Sequence, residues 1–146
     1  MKTSFITTGV DRLNYPIGHH INDNKDDIEK LAKALGKIYP KDINLNLICR
    51  GSSGAIIAGM FVLLLPNHCK IIHIKKEGES SHSNYFDLDA SGKVVIVDDF
   101  IISCDTIKSI YNSLIIKYPD IKIDCLCLSG HRCCYLPFTP KYYICY

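Results

Sequence analysis

Lys93 to Val97 reads KVVIV, a continuous apolar run entered from Ser91-Gly92 and stopped by Asp98-Asp99. β-Branched residues at successive positions suit a strand buried on both faces, and such strands belong to parallel sheets covered by helices. The remaining segments alternate to match. Asp26 to Tyr39 carries Ile28, Leu31, Ala32, Leu35 and Ile38 at spacings that put them on one helical face, and Pro40 closes it. Ile43 to Cys49 is expected as a strand running into Arg50-Gly51-Ser52-Ser53-Gly54, and Ala55 to Leu65, apolar on every side, as a buried helix. Lys70 to Ile74 is a second short strand. Glu77 to Asn84, rich in Gly and Ser and lacking periodicity, is expected as a mobile loop. Thr106 to Tyr118 returns to helical spacing, Pro119-Asp120 turns the chain, Ile121 to Leu128 is a last strand, and the tail after Gly130 is irregular. This order implies an α/β fold with a parallel sheet flanked by helices.

Size and charge bound the rest. The chain has 146 residues, 47% hydrophobic and 22% charged, the balance of one globular domain without internal repeat or linker. A chain of this length buries roughly 68–70% of its unfolded surface, enough for a core without staples. A net charge of +2, scattered along the chain, points away from nucleic acid and membrane surfaces. The longest apolar stretch, Ala55 to Leu65, contains Gly59 and ends at Pro66, well short of the roughly 20 residues of a spanning helix. The N-terminus has no continuous apolar region or cleavage site of a secretion signal, so a cytoplasmic protein with eight reduced thiols is expected.

In a parallel α/β sheet ligands bind at the carboxyl ends of the strands, so the loops after Cys49, Lys75, Val97 and Leu128 should form one site. Val94 to Thr106, VVIVDDFIISCDT, puts two carboxylates at a strand end and Ser103 and Thr106 at a helix start. Carboxylates can accept ribose hydroxyls, and the free amides and dipole of a helix start favour a phosphate. One loop can therefore hold a ribose 5-phosphate.

These residues resemble the phosphoribosyl pyrophosphate (PRPP) loop of the type I phosphoribosyltransferases: apolar residues, two acids, three variable residues, then Ser or Thr, Gly, any residue and Thr. Asp98, Asp99, Ser103 and Thr106 match, and Cys104 replaces the Gly. Arg50-Gly51-Ser52-Ser53-Gly54 resembles the pyrophosphate loop of that family, and Lys75 to Ser83, with Lys75 and Lys76 at its start, resembles its flexible catalytic loop. The three stand in the family's order at successive strand ends, over about residues 43 to 128.

The resemblance implies the fold of that family, a core over about 25–128 and a variable hood from about 1–24, from 129–146, or from both. It implies transfer of the 5-phosphoribosyl group from PRPP to a nitrogenous base, with release of pyrophosphate, Mg²⁺ as cofactor and a homodimer. Asp98 and Asp99 would hold the ribose hydroxyls, directly or through Mg²⁺ waters. Ser103, Cys104, Asp105 and Thr106 would surround the 5-phosphate. Arg50, Gly51, Ser52 and Ser53 would take the pyrophosphate, and Lys75 or Lys76 would arrive on loop closure. Tyr135 and Phe138 are the candidates for stacking on the base, with Tyr15 a weaker one.

Three departures carry consequences. Cys104 puts a side chain where the backbone crowds a phosphate, so relief by Cys104→Gly is expected to tighten binding. Asp105 adds negative charge unless it points outward. Ile102 occupies the position of an Asp in the hypoxanthine and guanine enzymes of the family, whereas adenine-type and orotate-type relatives carry no acid there. The alternative reading is a binding or regulatory protein that keeps the fold and the pocket without turnover. Cys125, Cys127, His131, Cys133 and Cys134 form a rival zinc constellation, but Cys125 and Cys127 share one strand face and are expected in the core. The apolar tail from Tyr142 to Tyr146 is expected at the surface, available to an interface.

Overall fold

The computed structural model describes residues 2–75, 86–132 and 135–146. Six strands form one sheet: β1 (Ser4–Thr7), β2 (Leu45–Cys49), β3 (Cys69–His73), β4 (Lys93–Phe100), β5 (Cys125–Ser129) and β6 (Tyr142–Cys145). Their order is β1-β6-β5-β4-β2-β3, and every pairing is parallel. Three α-helices join them: α1 (Ile21–Ile38), α2 (Ser52–Leu64) and α3 (Asp105–Lys117).

Alternation along the strands feeds two cores. Leu45 and Leu47 of β2, Val95 and Val97 of β4, and Cys125 and Cys127 of β5 pack with Ile28, Leu31 and Leu35 of α1 and Ile57 and Phe61 of α2. Ile48, Val94, Ile96, Leu126 and Leu128 face the other way, onto Ile107, Ile110 and Leu114 of α3. The sheet is therefore covered on both faces, as continuous Val and Ile runs require.

Four expectations change. α1 begins at Ile21, five residues before the expected start at Asp26, because its first turn buries an amide, Asn24, rather than an apolar side chain. α2 is not buried all round: Val62, Leu63 and Leu64 are exposed, Leu63 at 86%, and its buried positions are Gly54, Ile57, Ala58 and Phe61. The tail is not a surface segment either. Residues 142–145 form β6, inserted between β5 and β1, with Tyr143, Ile144 and Cys145 buried. Residues 4–7, expected in the hood, form the edge strand β1. No helix among the described residues is long and apolar enough to cross a membrane.

Candidate functional site

The β2–α2 and β4–α3 loops meet at the carboxyl end of the sheet. Glycine makes the first of these turns tight enough. A Cβ on Gly54 would lie 3.1 Å from both the Cys49 Cβ and the Val97 carbonyl oxygen, tighter than an ordinary contact, so its absence lets α2 start close against the ends of β2 and β4. Gly51 is the N-cap of α2 and has no side chain with which to cap it, and the first amides of the helix have no intrahelical partners. Beside them the Arg50 Nε is buried and has no hydrogen-bond partner among the described residues.

On the second loop, β4 continues through Asp98 and Asp99 to Phe100, and its register with β5 shifts between Val97 and Phe100. The shift turns both acids out of the ladder to half-buried positions. The Asp99 amide donates to Asp98 Oδ1 at 2.9 Å and the Phe100 amide to Asp99 Oδ1 at 2.8 Å, so each carboxylate braces the turn with one oxygen. Asp98 also acts on its neighbour: burial first, and then its charge, push the Cys49 thiol up to about 11. α3 follows with Cys104 as N-cap, again without a side-chain cap.

A cavity of about 230 Å³ joins the loops, lined by Tyr15, Gly51, Ser52, Ser53, Gly54, Asp98, Asp99, Phe100, Ile102, Ser103 and Thr106. Two helix N-termini and two carboxylates thus face one space. Anions are favoured at the helix ends and hydroxyl or cation ligands at the acids.

Not every expected residue reaches it. Asp105 does not line the cavity and accepts a hydrogen bond from the Ser103 hydroxyl at 3.1 Å. Cys104 is buried, disulfide-bonded and outside the cavity lining. Its φ of −75° is ordinary, so the backbone crowding expected of a residue replacing Gly does not arise. The disulfide also corrects the expectation of eight reduced thiols, which holds for Cys49, Cys69, Cys125, Cys127 and Cys145. Cys125 and Cys127 are core thiols on one face of β5, and burial raises both well above the ordinary range. Lys75 is half-buried after β3 and does not line the cavity. Lys76 and the expected mobile loop at 77–84 lie outside the described residues, as do Cys133 and Cys134.

The aromatic candidates separate. Phe138 stacks on Tyr111 of α3, with ring centroids 5.1 Å apart, and lines a different cavity with Phe5, Arg132 and Tyr143. Tyr135 is 81% exposed and lines neither space. Tyr15 does line the loop cavity, its ring edge-on to Phe100 at 6.3 Å. Phe100 and Gly54 were not singled out from the sequence. Gly54 stood in view at the end of the RGSSG loop, whereas Phe100 follows the acids with nothing to distinguish it from a core residue.

The acids suit Mg²⁺, which binds through one or two carboxylates, with substrate phosphate oxygens and waters completing its shell. Asp98 and Asp99 each give their Oδ1 to the turn bonds above. Among the described residues no group of three or more His, Cys, Asp or Glu side chains comes together, so a magnesium ion here would depend on substrate oxygens.

The chain matches no family model and no curated protein. Its fold does match solved structures. A hypoxanthine-guanine phosphoribosyltransferase from Bacillus anthracis superposes with a TM-score of 0.54 at 15% identity, over 84% of this chain and 77% of that one. A hypoxanthine-guanine-xanthine phosphoribosyltransferase gives 0.50 at 17% identity, over 85% of this chain and 75% of that one. The parallel sheet, the helices on its two faces and these likenesses together give this chain the fold of the type I phosphoribosyltransferases.

Proposed function

We propose that this chain transfers the 5-phosphoribosyl group of PRPP to a nitrogenous base. The observation that carries the reading is the convergence of two uncapped helix N-termini on one cavity with an acid pair between them. In this reading the α3 start, with Ser103 and Thr106, takes the 5-phosphate, while Asp98 and Asp99 take the ribose hydroxyls. The α2 start, with Ser52 and Ser53, takes the diphosphate, and Arg50, whose Nε has no hydrogen-bond partner among the described residues, adds a cation behind it. A base nitrogen then bonds to the anomeric carbon as its bond to the diphosphate oxygen breaks, pyrophosphate leaves with the electron pair, and a proton carried by that nitrogen passes to solvent. Positive charge gathering on the sugar is stabilised by the acids, and negative charge on the leaving group by the helix dipole and Arg50. Mg²⁺, when bound through Asp98 or Asp99, supplies further charge neutralisation at the diphosphate. Tyr15 and Phe100 bound the acceptor side.

The solved structures named above act, by their names, on hypoxanthine and guanine; here Ile102 lines the cavity at 81% exposure and offers no acid to a purine. The acceptor is therefore read only as a nitrogenous base. The test is pyrophosphate release from PRPP and Mg²⁺ with a panel of purine, pyrimidine and nicotinamide-type bases. Release with one base is expected. Thermal stabilisation by PRPP without release from any base would favour the binding protein, and no stabilisation at all would overturn both.

A further inference from the structure

Ser129, the last residue of β5, is fully buried and polar, and both capacities of its hydroxyl are used. It accepts the Leu13 amide at 3.2 Å and donates to the Asp99 carbonyl at 2.5 Å. Leu13 belongs to a strap, residues 8–16, laid over the carboxyl ends of the strands. The Thr8 hydroxyl donates to the Cys145 carbonyl at 3.0 Å, and the Gly130 amide to the Val10 carbonyl at 3.1 Å. Asn14 exchanges two bonds with the buried Asn24 of α1, at 2.8 and 2.9 Å. Of these bonds, those of Ser129 reach the acidic loop as well as the strap. The strap brackets Phe100: the Arg12 guanidinium lies 4.1 Å above its ring and Tyr15 meets it edge-on. Phe100 is in turn the register partner of Ser129.

We propose that Ser129 is a positioning residue that sets the spacing between the acceptor-side pair Tyr15 and Phe100 and the phosphoribosyl-side acids Asp98 and Asp99. The inference rests on the PRPP reading above. The acidic loop keeps its own turn bonds through Asp98 and Asp99 when the hydroxyl is removed, whereas the strap loses its hydrogen-bonded link to that loop and keeps only the contacts of Arg12 and Tyr15 with the Phe100 ring. Removal also leaves a buried amide and a carbonyl unpaired, which the chain relieves by moving the strap. A ligand confined to the phosphoribosyl half should feel this little, and one spanning both halves should feel it strongly.

Calorimetry with ribose 5-phosphate and with inosine, adenosine, uridine and nicotinamide 5′-monophosphates, each with Mg²⁺, separates the halves. Wild-type protein should bind one nucleotide more tightly than ribose 5-phosphate. Ser129→Ala should lower that preference about tenfold while ribose 5-phosphate affinity stays within about threefold. Ser129→Cys, of similar size and with a weaker donor, should fall between them and serves if the Ala variant fails to fold. Equal weakening of both ligand types, or an unchanged preference, would overturn the proposal by making Ser129 merely structural. Wild-type protein that binds ribose 5-phosphate without preferring any nucleotide would overturn the acceptor pair and this inference with it. Binding of none of the ligands would instead overturn the PRPP reading itself.

Discussion

Asp98 and Asp99 brace their turn through side-chain oxygens that accept backbone amides, a task the carbonyl oxygen of Asn also performs. Changing both to Asn should therefore preserve the turn while removing the charge. PRPP affinity should fall about tenfold or more, as charge-assisted bonds to hydroxyls and to Mg²⁺ are lost. A melting temperature close to that of the wild type is expected alongside; loss of folded protein would assign the pair a structural role. Cys104 gives the opposite kind of result. With ordinary φ and a side chain that is buried and disulfide-bonded, it has no crowding for glycine to relieve. Cys104→Gly should bind PRPP no more tightly than the wild type and should lose about 2–4 kcal/mol of stability with the disulfide. Thermal melts with and without a dithiol reductant check this: reductant should lower the wild-type midpoint and leave that of the variant unmoved.

At the scale of elements, the start of α2 is held by a close approach that leaves little room for a side chain. Gly54→Ala would press a methyl against the Val97 carbonyl, which is backbone and cannot turn aside. The contact opens by a few tenths of an ångström, which moves the amides of Ser52 and Ser53 relative to the end of β4. Binding of inorganic pyrophosphate should weaken more than binding of ribose 5-phosphate, as measured by calorimetry, with a stability loss of about 1–3 kcal/mol. The two ligands weakening alike would place the pyrophosphate elsewhere. β6 shows the same dependence on neighbours. Four residues long, it joins the sheet because β5 and β1 offer it a ladder on each side and because Tyr143 and Ile144 enter the two opposite cores.

Over the whole molecule, burial raises the thiols of Cys49, Cys125 and Cys127 and the phenol of Tyr39, whose hydroxyl donates to Asp124. These groups are neutral when protonated, and folding holds them so. The stability they contribute is fully present below their ordinary values, the thiol value being 9.0, and declines as pH rises towards the folded values. The melting temperature should fall from about pH 9 upward. Cys49→Ala should soften the fall between pH 9 and 11, the window set by its own shift. A flat profile to pH 11 would contradict the linkage.

Local pattern was enough for the interior of the fold. Val94 to Val97, the 28-31-32-35 face of α1 and the alternation of Cys125 and Cys127 with Leu126 and Leu128 all register in sequence, because burial on one or two faces imposes a period on apolar residues. The acid pair and the RGSSG loop were legible for a similar reason: a strand end followed by a helix start has a composition of its own. Short strands with mixed composition were not legible. β1 and β6 exist through pairing with partners distant in sequence, Ser4 with Tyr142 and Cys125 with Tyr142, and no local period records a ladder. The acceptor side was hidden in the same way. Tyr15 and Phe100 are separated by 85 positions and Ser129 by 29 more, and they are brought together by a strap held at the carboxyl ends of β5 and β6 through bonds in which a backbone amide or carbonyl is always one partner, the Thr8 and Ser129 hydroxyls being the other in two of them. Backbone amides and carbonyls carry no residue identity, so what they tie together only the tertiary structure could decide.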